Sequence, residues 1–175
     1  MKNILVASDG SAQAGRAVAR AAELARMSGA ALTIIHVQDA RPIGEMEAHF
    51  AEDELSGPLK YYNMPLLADE DAPMRTSLKE TVLAHDRQSL ALRQVISDRI
   101  LEEAQAIAGD TGMAGARTQS AAGDAATEIV VAAKTVGADL IVLGRSGVSG
   151  IAELLLGSVS RKVLHLARCD VLMVA

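Results

Sequence analysis

The sequence predicts an α/β fold: an open five-stranded parallel sheet with helices on both faces, of the Rossmann-like kind. Three observations predict it. Short apolar runs of strand length recur without the polar–apolar alternation of a half-exposed strand, as expected where both sheet faces are covered. Between them lie stretches with apolar residues at helical spacing, opened by Ser or Asp and closed by Gly. Strand and helix patterns alternate along the chain, which is the mark of βαβ units.

Each element has its own signal. Asn3-Ile4-Leu5-Val6-Ala7-Ser8 is the first apolar run, bounded by the turn signal Asp9-Gly10-Ser11. Ser11 is placed to cap a helix whose Val18, Ala21, Leu24 and Ala25 share one face, and Gly29 ends it. Ala31-Leu32-Thr33-Ile34-Ile35-His36-Val37 is the second strand, completing a βαβ unit with a right-handed crossover. Leu92, Val95 or Ile96, Ile100, Ala104 and Ile107 mark one face of a later helix that begins as early as Ser77, with Gly109 and Gly112 as its terminators. Residues 115–121 form a weak, polar strand suited to a sheet edge. Asp124 to Val136 reads as a helix, with Asp124 at its positive end. Ala138-Asp139-Leu140-Ile141-Val142-Leu143 is the clearest strand, and a helix from Ser158 to Arg168 leads to a last strand, Asp170–Val174.

Residues 40–86 break this rhythm. They hold all four prolines, Pro42, Pro58, Pro65 and Pro73, and every aromatic residue, Phe50, Tyr61 and Tyr62. Acidic clusters occupy Glu45–Glu54 and Asp69–Asp71. We read 1–175 as one α/β domain, with 40–86 as an insertion that serves as a lid or as an interaction element for a protein partner.

Composition excludes several classes. Lys and Arg total 17 against 22 Asp and Glu, for a net charge of −5. Tracking nucleic acid needs a basic face and, for single strands, aromatic platforms, and neither is available. A single cysteine, Cys169, forbids an internal disulfide and suits the reduced cytoplasm. No apolar run nears the ~20 residues that span a bilayer, and the apolar start is too short for a signal peptide.

The chemistry is concentrated after the clearest strand. There Gly144-Arg145-Ser146-Gly147-Val148-Ser149-Gly150 is followed by Leu156-Gly157-Ser158-Val159-Ser160. Glycines let backbone N–H groups converge on an anion, and a helix opening at Gly157-Ser158 offers free N–H groups and a positive dipole end. Ser158 and Ser160 add hydroxyl donors, and Arg145 adds a full charge. Punctuation by glycine and an ordinary helix start would explain each piece alone; in this strand–loop–helix setting they together favour phosphate binding. The loop is no Walker sequence, because no Gly-x-x-x-x-Gly-Lys-Ser/Thr occurs. Ser8-Asp9-Gly10-Ser11 likewise lacks the dinucleotide fingerprint.

In these residues the sequence resembles the nucleotide-binding branch of the universal stress protein family. That family's Gly-x-x-Gly-x9-Gly-Ser/Thr motif is matched by Gly144, Gly147, Gly157 and Ser158. The opening Ile4–Ser11 and the pair His36-Val37 are similar too, so that the resemblance covers roughly 1–39 and 95–175. It implies strand order 3-2-1-4-5, homodimers paired through the last strand, and ATP as ligand, accompanied by Mg²⁺. It also implies that Ala7, Ser8 and Asp9 meet adenine and ribose, with Val37 and Leu143 against the base. Gly144, Arg145, Gly147, Gly157, Ser158, Val159 and Ser160 then hold ribose and phosphates. The matched regions have no aromatic residue, so adenine would lie between aliphatic side chains and backbone.

Other polar residues have plainer readings. Asp9 serves a ribose hydroxyl or caps the following helix with equal ease. His36 inside a strand reads as a packed, hydrogen-bonded residue, and His165 suits the end of a helix. Arg161, Lys162 and Arg168 read as a solvated face, while Cys169 has no His or acid pattern marking a nucleophile. Glu45, Glu47, His49, Glu52 and Asp53 have no spacing that enforces a metal site. No catalytic residue and no metal ligand is therefore assigned. The leading reading is a nucleotide-binding regulatory protein of the cytoplasmic stress response. The alternatives are a slow ATP hydrolase or adenylyl-transfer enzyme on the same scaffold, and an interaction module with structural nucleotide.

Overall fold

In the computed structural model, residues 1–38, 78–145 and 157–175 are described, with side chains in the middle stretch described from residue 90 onward. The chain divides into two compact units, Met1–Ala40 with Ser97–Ala175, and Arg41–Ile96. What is described of the second unit is helical, from Leu78 onward. Most of the 40–86 segment, including Phe50, Tyr61 and Tyr62, lies outside the described residues.

The first unit begins with β1 (Asn3–Ala7), α1 (Ala12–Ser28) and β2 (Ala31–Gln38). Helix α2 (Leu78–Asp110) enters it at Ser97 and leads to β3 (Arg117–Ala122), α3 (Ala125–Val136) and β4 (Leu140–Gly144). α4 (Ser158–Leu166) and β5 (Asp170–Val174) complete it. The strands form one all-parallel sheet in the order β3-β2-β1-β4-β5. The expected order and the polar edge position of β3 are both observed.

Local chemistry explains the element ends. Ser11 Oγ accepts from Ala14 N at 3.1 Å and opens α1, which Gly29 closes in the left-handed region at φ 68°. Asp124 Oδ1 does the same for α3 through Thr127 N at 3.0 Å. One expected terminator is corrected. Gly109 lies within α2, and the chain turns only at Gly112, with φ 92°, where Met113 N reaches back to Ala108 O at 2.8 Å. Glycine at Gly109 costs the helix some propensity without ending it.

Strand periodicity then sorts side chains into two cores. Ile4 and Val6 face a layer formed by α1 (Ala17, Val18, Ala21) and α2 (Leu101, Ala104, Ala108). Leu5 faces the other layer, with Ile129 and Ala133 of α3 and Val163 of α4. Ile4, Leu5 and Val6 are all fully buried, each worth about 1.5–3 kcal/mol. β1 thus sits at the centre, with β2 on one side and β4 on the other. Chain direction diverges at this pair, which places a crevice beyond the carboxyl ends of β1 and β4.

Candidate functional site

Two walls of that crevice are described, and the first is the turn after β1. Ser8 N–H donates to Ile35 O at 2.9 Å, carrying the β1–β2 ladder one residue past Ala7. Gly10 takes φ 79°, and a Cβ there would approach Ile100 Cγ1 at 3.1 Å. Asp9 is exposed, and its Oδ1 accepts from Ser11 N at 3.0 Å. Asp9 therefore shapes the turn, while Ser11 is the residue that caps α1.

The second wall joins the end of β4 to the start of α4. Arg145 N–H donates to Val174 O at 2.7 Å, and Arg145 O accepts from Gly157 N at 3.0 Å. These two bonds fix where the chain leaves the sheet and where it returns. Residues 146–156 between them, Gly147 included, lie outside the described residues. Gly157 is the N-cap of α4 and provides no side-chain cap, and the first turn holds no acidic residue. The first intrahelical bond runs from Arg161 N to Gly157 O at 3.0 Å. The N–H groups of Ser158, Val159 and Ser160 consequently have no acceptor inside the helix.

The serines divide. Ser158 is exposed at the helix start, whereas Ser160 is buried and its Oγ donates to Gly144 O at 3.0 Å. The Ser160 hydroxyl proton thus ties α4 to β4, so its outward donor is the backbone N–H. Gly144 has a packing reason to be glycine. A Cβ there would come within 3.1 Å of Gln13 C, 3.2 Å of Gln13 O and 3.3 Å of Ala14 N.

Ala7, Val37 and Leu143 come together in one apolar cluster on the α3–α4 face, joined by Ala121. Leu143 is almost wholly buried, while Ala7 and Val37 are half-buried at the strand ends. His36 is 9% exposed, with Nδ1 2.9 Å from Ser8 O, the packed and hydrogen-bonded histidine expected. Sequence reasoning missed two features. One is the destination of the His36 bond, the backbone of a site residue. The other is the ion pair of Lys162 Nζ with Asp124 Oδ1 at 2.8 Å, which joins the starts of α4 and α3. Hydrogen bonds from Lys162 and Thr127 hold the Asp124 carboxyl down to about 2.

One cleft among the described residues lies away from this chemistry. It measures about 400 Å³, lies along α1 between Arg16, Arg20, Arg26 and Thr111, and is lined by none of the motif residues. Arg20 there is paired with Glu23, and Arg16 Nε donates to Ala175 O at 3.0 Å. Beneath the Ser8–Ser11 turn a void of about 20 Å³ has room for one water. Among the described residues no group of three or more His, Cys, Asp or Glu side chains is arranged to hold a metal ion. None of their helices is long and apolar enough to cross a membrane.

The described residues form a doubly wound parallel α/β sheet with a glycine N-cap at the helix start beyond β4, on the side of the sheet where such folds have their strand-end crevice. The model of the Universal stress protein family matches residues 1–175, and the chain belongs to that family. Universal stress protein YxiE of Bacillus subtilis is 36% identical over 171 residues, 98% of this chain and 97% of the relative. Among solved structures, a universal stress protein in complex with cAMP is 27% identical, with a TM-score of 0.61 over 99% of this chain and 97% of that one. The universal stress protein UspA from Lactobacillus plantarum is 25% identical, with a TM-score of 0.59 over 99% of this chain and 97% of its own.

Proposed function

We propose that this universal stress protein is a nucleotide-responsive regulatory protein that binds ATP, with Mg²⁺ on the phosphates, in the crevice beyond β1, β2 and β4. The observation that carries the reading is the start of α4. Three adjacent N–H groups lack helical acceptors there, the N-cap glycine has no side chain to cap them, and no acidic residue occupies the first turn. An anion at that position gains both hydrogen bonds and the helix dipole. Gly144, Arg145, Gly147, Gly157, Ser158, Val159 and Ser160 are the phosphate and ribose residues in this reading. Ala7, Ser8, Asp9, Val37 and Leu143 are the adenine side, where half-buried aliphatic residues at the strand ends offer an apolar seat. The cAMP complex of a relative with the same fold supports an adenine nucleotide as the ligand class.

The proposal extends to the assembly. Residues 1–175 form one family domain with 40–86 as its insertion, which is the surface for a protein partner. Among the described residues β5 is an edge strand whose Val171, Leu172, Met173 and Val174 are only half-buried, and its outer edge is the natural seam for a homodimer. The cytoplasm is the compartment that suits the lone thiol of Cys169.

A thermal-shift series with ATP, ADP, AMP and cAMP, each with and without Mg²⁺, tests the central claim. Ligands that bind the folded state raise Tm by mass action. The largest shift is expected with ATP and Mg²⁺. No shift with any nucleotide at millimolar concentration would refute the reading, and a shift with cAMP alone would replace ATP as the ligand.

A further inference from the structure

The ladder between β1 and β2 ends at the pair Ala7–Ile35, followed by one more bond from Ser8 N to Ile35 O. Beyond it, the Ser8 carbonyl is taken by a side chain, with His36 Nδ1 at 2.9 Å. A carbonyl oxygen only accepts, so Nδ1 carries the proton and donates. The peptide between Ser8 and Asp9 is trans and planar, so its N–H points opposite to its C=O. With the Ser8 carbonyl drawn toward His36 on β2, the Asp9 N–H is turned away from β2, toward the side of β1 on which β4 lies. That side is the crevice. The Asp9 N–H has no acceptor among the described residues.

We propose that His36 is a positioning residue for ligand binding: by holding the Ser8 carbonyl it aims the Asp9 N–H into the crevice as a donor for an acceptor atom of the nucleotide. This rests on the nucleotide reading given above. His36 itself is buried and touches no ligand; it acts through the peptide plane. Ser8 is held through its N–H by Ile35 and through Oγ by Gly10 N at 3.4 Å. The carbonyl is the remaining handle on the peptide that carries the donor.

Calorimetric titration of the full chain with ATP and Mg²⁺, and separately with cAMP, tests this. His36→Phe keeps a ring but removes the donor, and is expected to weaken binding about 10-fold, the size of one net hydrogen bond. His36→Asn places an amide N–H near the Nδ1 position, and is expected to restore affinity to within about 3-fold while its Tm stays near that of the Phe variant. Wild-type affinity in His36→Phe, or equal weakness in Phe and Asn, would overturn the inference and leave the nucleotide reading standing. Failure of the wild-type chain to bind either probe would overturn both. Should His36→Phe not fold, His36→Gln replaces it, because the longer amide reaches the Nε2 position instead. Asn near wild type and Gln weak supports positioning through Nδ1, and equal affinities overturn it.

Discussion

A single negative charge at the start of α4 should move stability and ligand affinity in opposite directions. Ser158 is exposed at the first helical position, beside an N-cap glycine with no side-chain bond and in a turn with no acidic residue. In the free protein, Ser158→Asp complements the helix dipole and is worth about 0.3–1 kcal/mol. For a chain of this size that corresponds to a Tm increase of roughly 1–3 °C. With a phosphate in place the same carboxylate is repulsive. Two unit charges about 4 Å apart interact by about 4 kcal/mol at an effective dielectric near 20, and solvent and salt reduce this. A residual near 1.4 kcal/mol is already a tenfold loss of affinity. Melting curves of the free protein and calorimetry with ATP and Mg²⁺ read the two effects separately. Equal affinity in wild type and variant would refute the placement of phosphates at α4, and a fall in both quantities would point to simple damage.

Three further outcomes are expected. Gly144→Ala should lose about 1–2 kcal/mol without any ligand, because the added methyl meets the backbone of Gln13 and Ala14 within 3.3 Å; a Tm within about 1 °C of wild type would show that the helix start yields freely. The Asp124 carboxyl is lowered to about 2 by Lys162 and Thr127, below its unfolded value near ~3.9, so its contribution is present above that value and lost as pH falls through about 2. The Tm gap between wild type and Asp124→Ala should therefore narrow on acidification, and a constant gap in melts across that range would contradict it. Burial, then the charges of Asp170 and Asp139, raise the Cys169 thiol above its ordinary range, so its alkylation by iodoacetamide should be slower than that of a free thiol at neutral pH.

The parts of the fold that were legible in the sequence are those set by neighbours in the chain. Ser11, Gly29, Asp124 and the Ile4–Val6 run act over one turn or one strand, and each does in the structure what its local pattern predicts. Gly109 was misread for the same reason that these succeeded. Glycine next to Asp110 looks like a stop, yet helix geometry continues through it and the left-handed residue is Gly112. Sheet order lay beyond local pattern altogether, because periodicity tells which faces are buried and not which strand lies alongside. The order 3-2-1-4-5 came from resemblance, and the pairings of β1 with both β2 and β4 agree with it. The site divides in the same way. Its glycines and serines were visible as a motif, but the inward turn of Ser160 and the reach of His36 to Ser8 depend on residues brought together across strands.

The motif residues also carry unequal weight as signs of a ligand. Gly144 is favoured by the close approach of the α1 start, a packing reason for glycine that is independent of any ligand. The Ser160 hydroxyl is likewise engaged by the fold, on the Gly144 carbonyl. Gly157 is different. A helix start ordinarily gains stability from Ser, Thr, Asp or Asn at the N-cap, and Ser11 and Asp124 show this chain using such residues at two other starts. At α4 that stabilisation is forgone, and the N–H groups it would have satisfied stand beside the crevice at the end of β4. Packing explains Gly144 and Ser160, whereas the missing cap at Gly157 gains a purpose when an external anion supplies the acceptors. The case for a phosphate ligand therefore rests on Gly157 and Ser158 more than on the number of glycines in the loop.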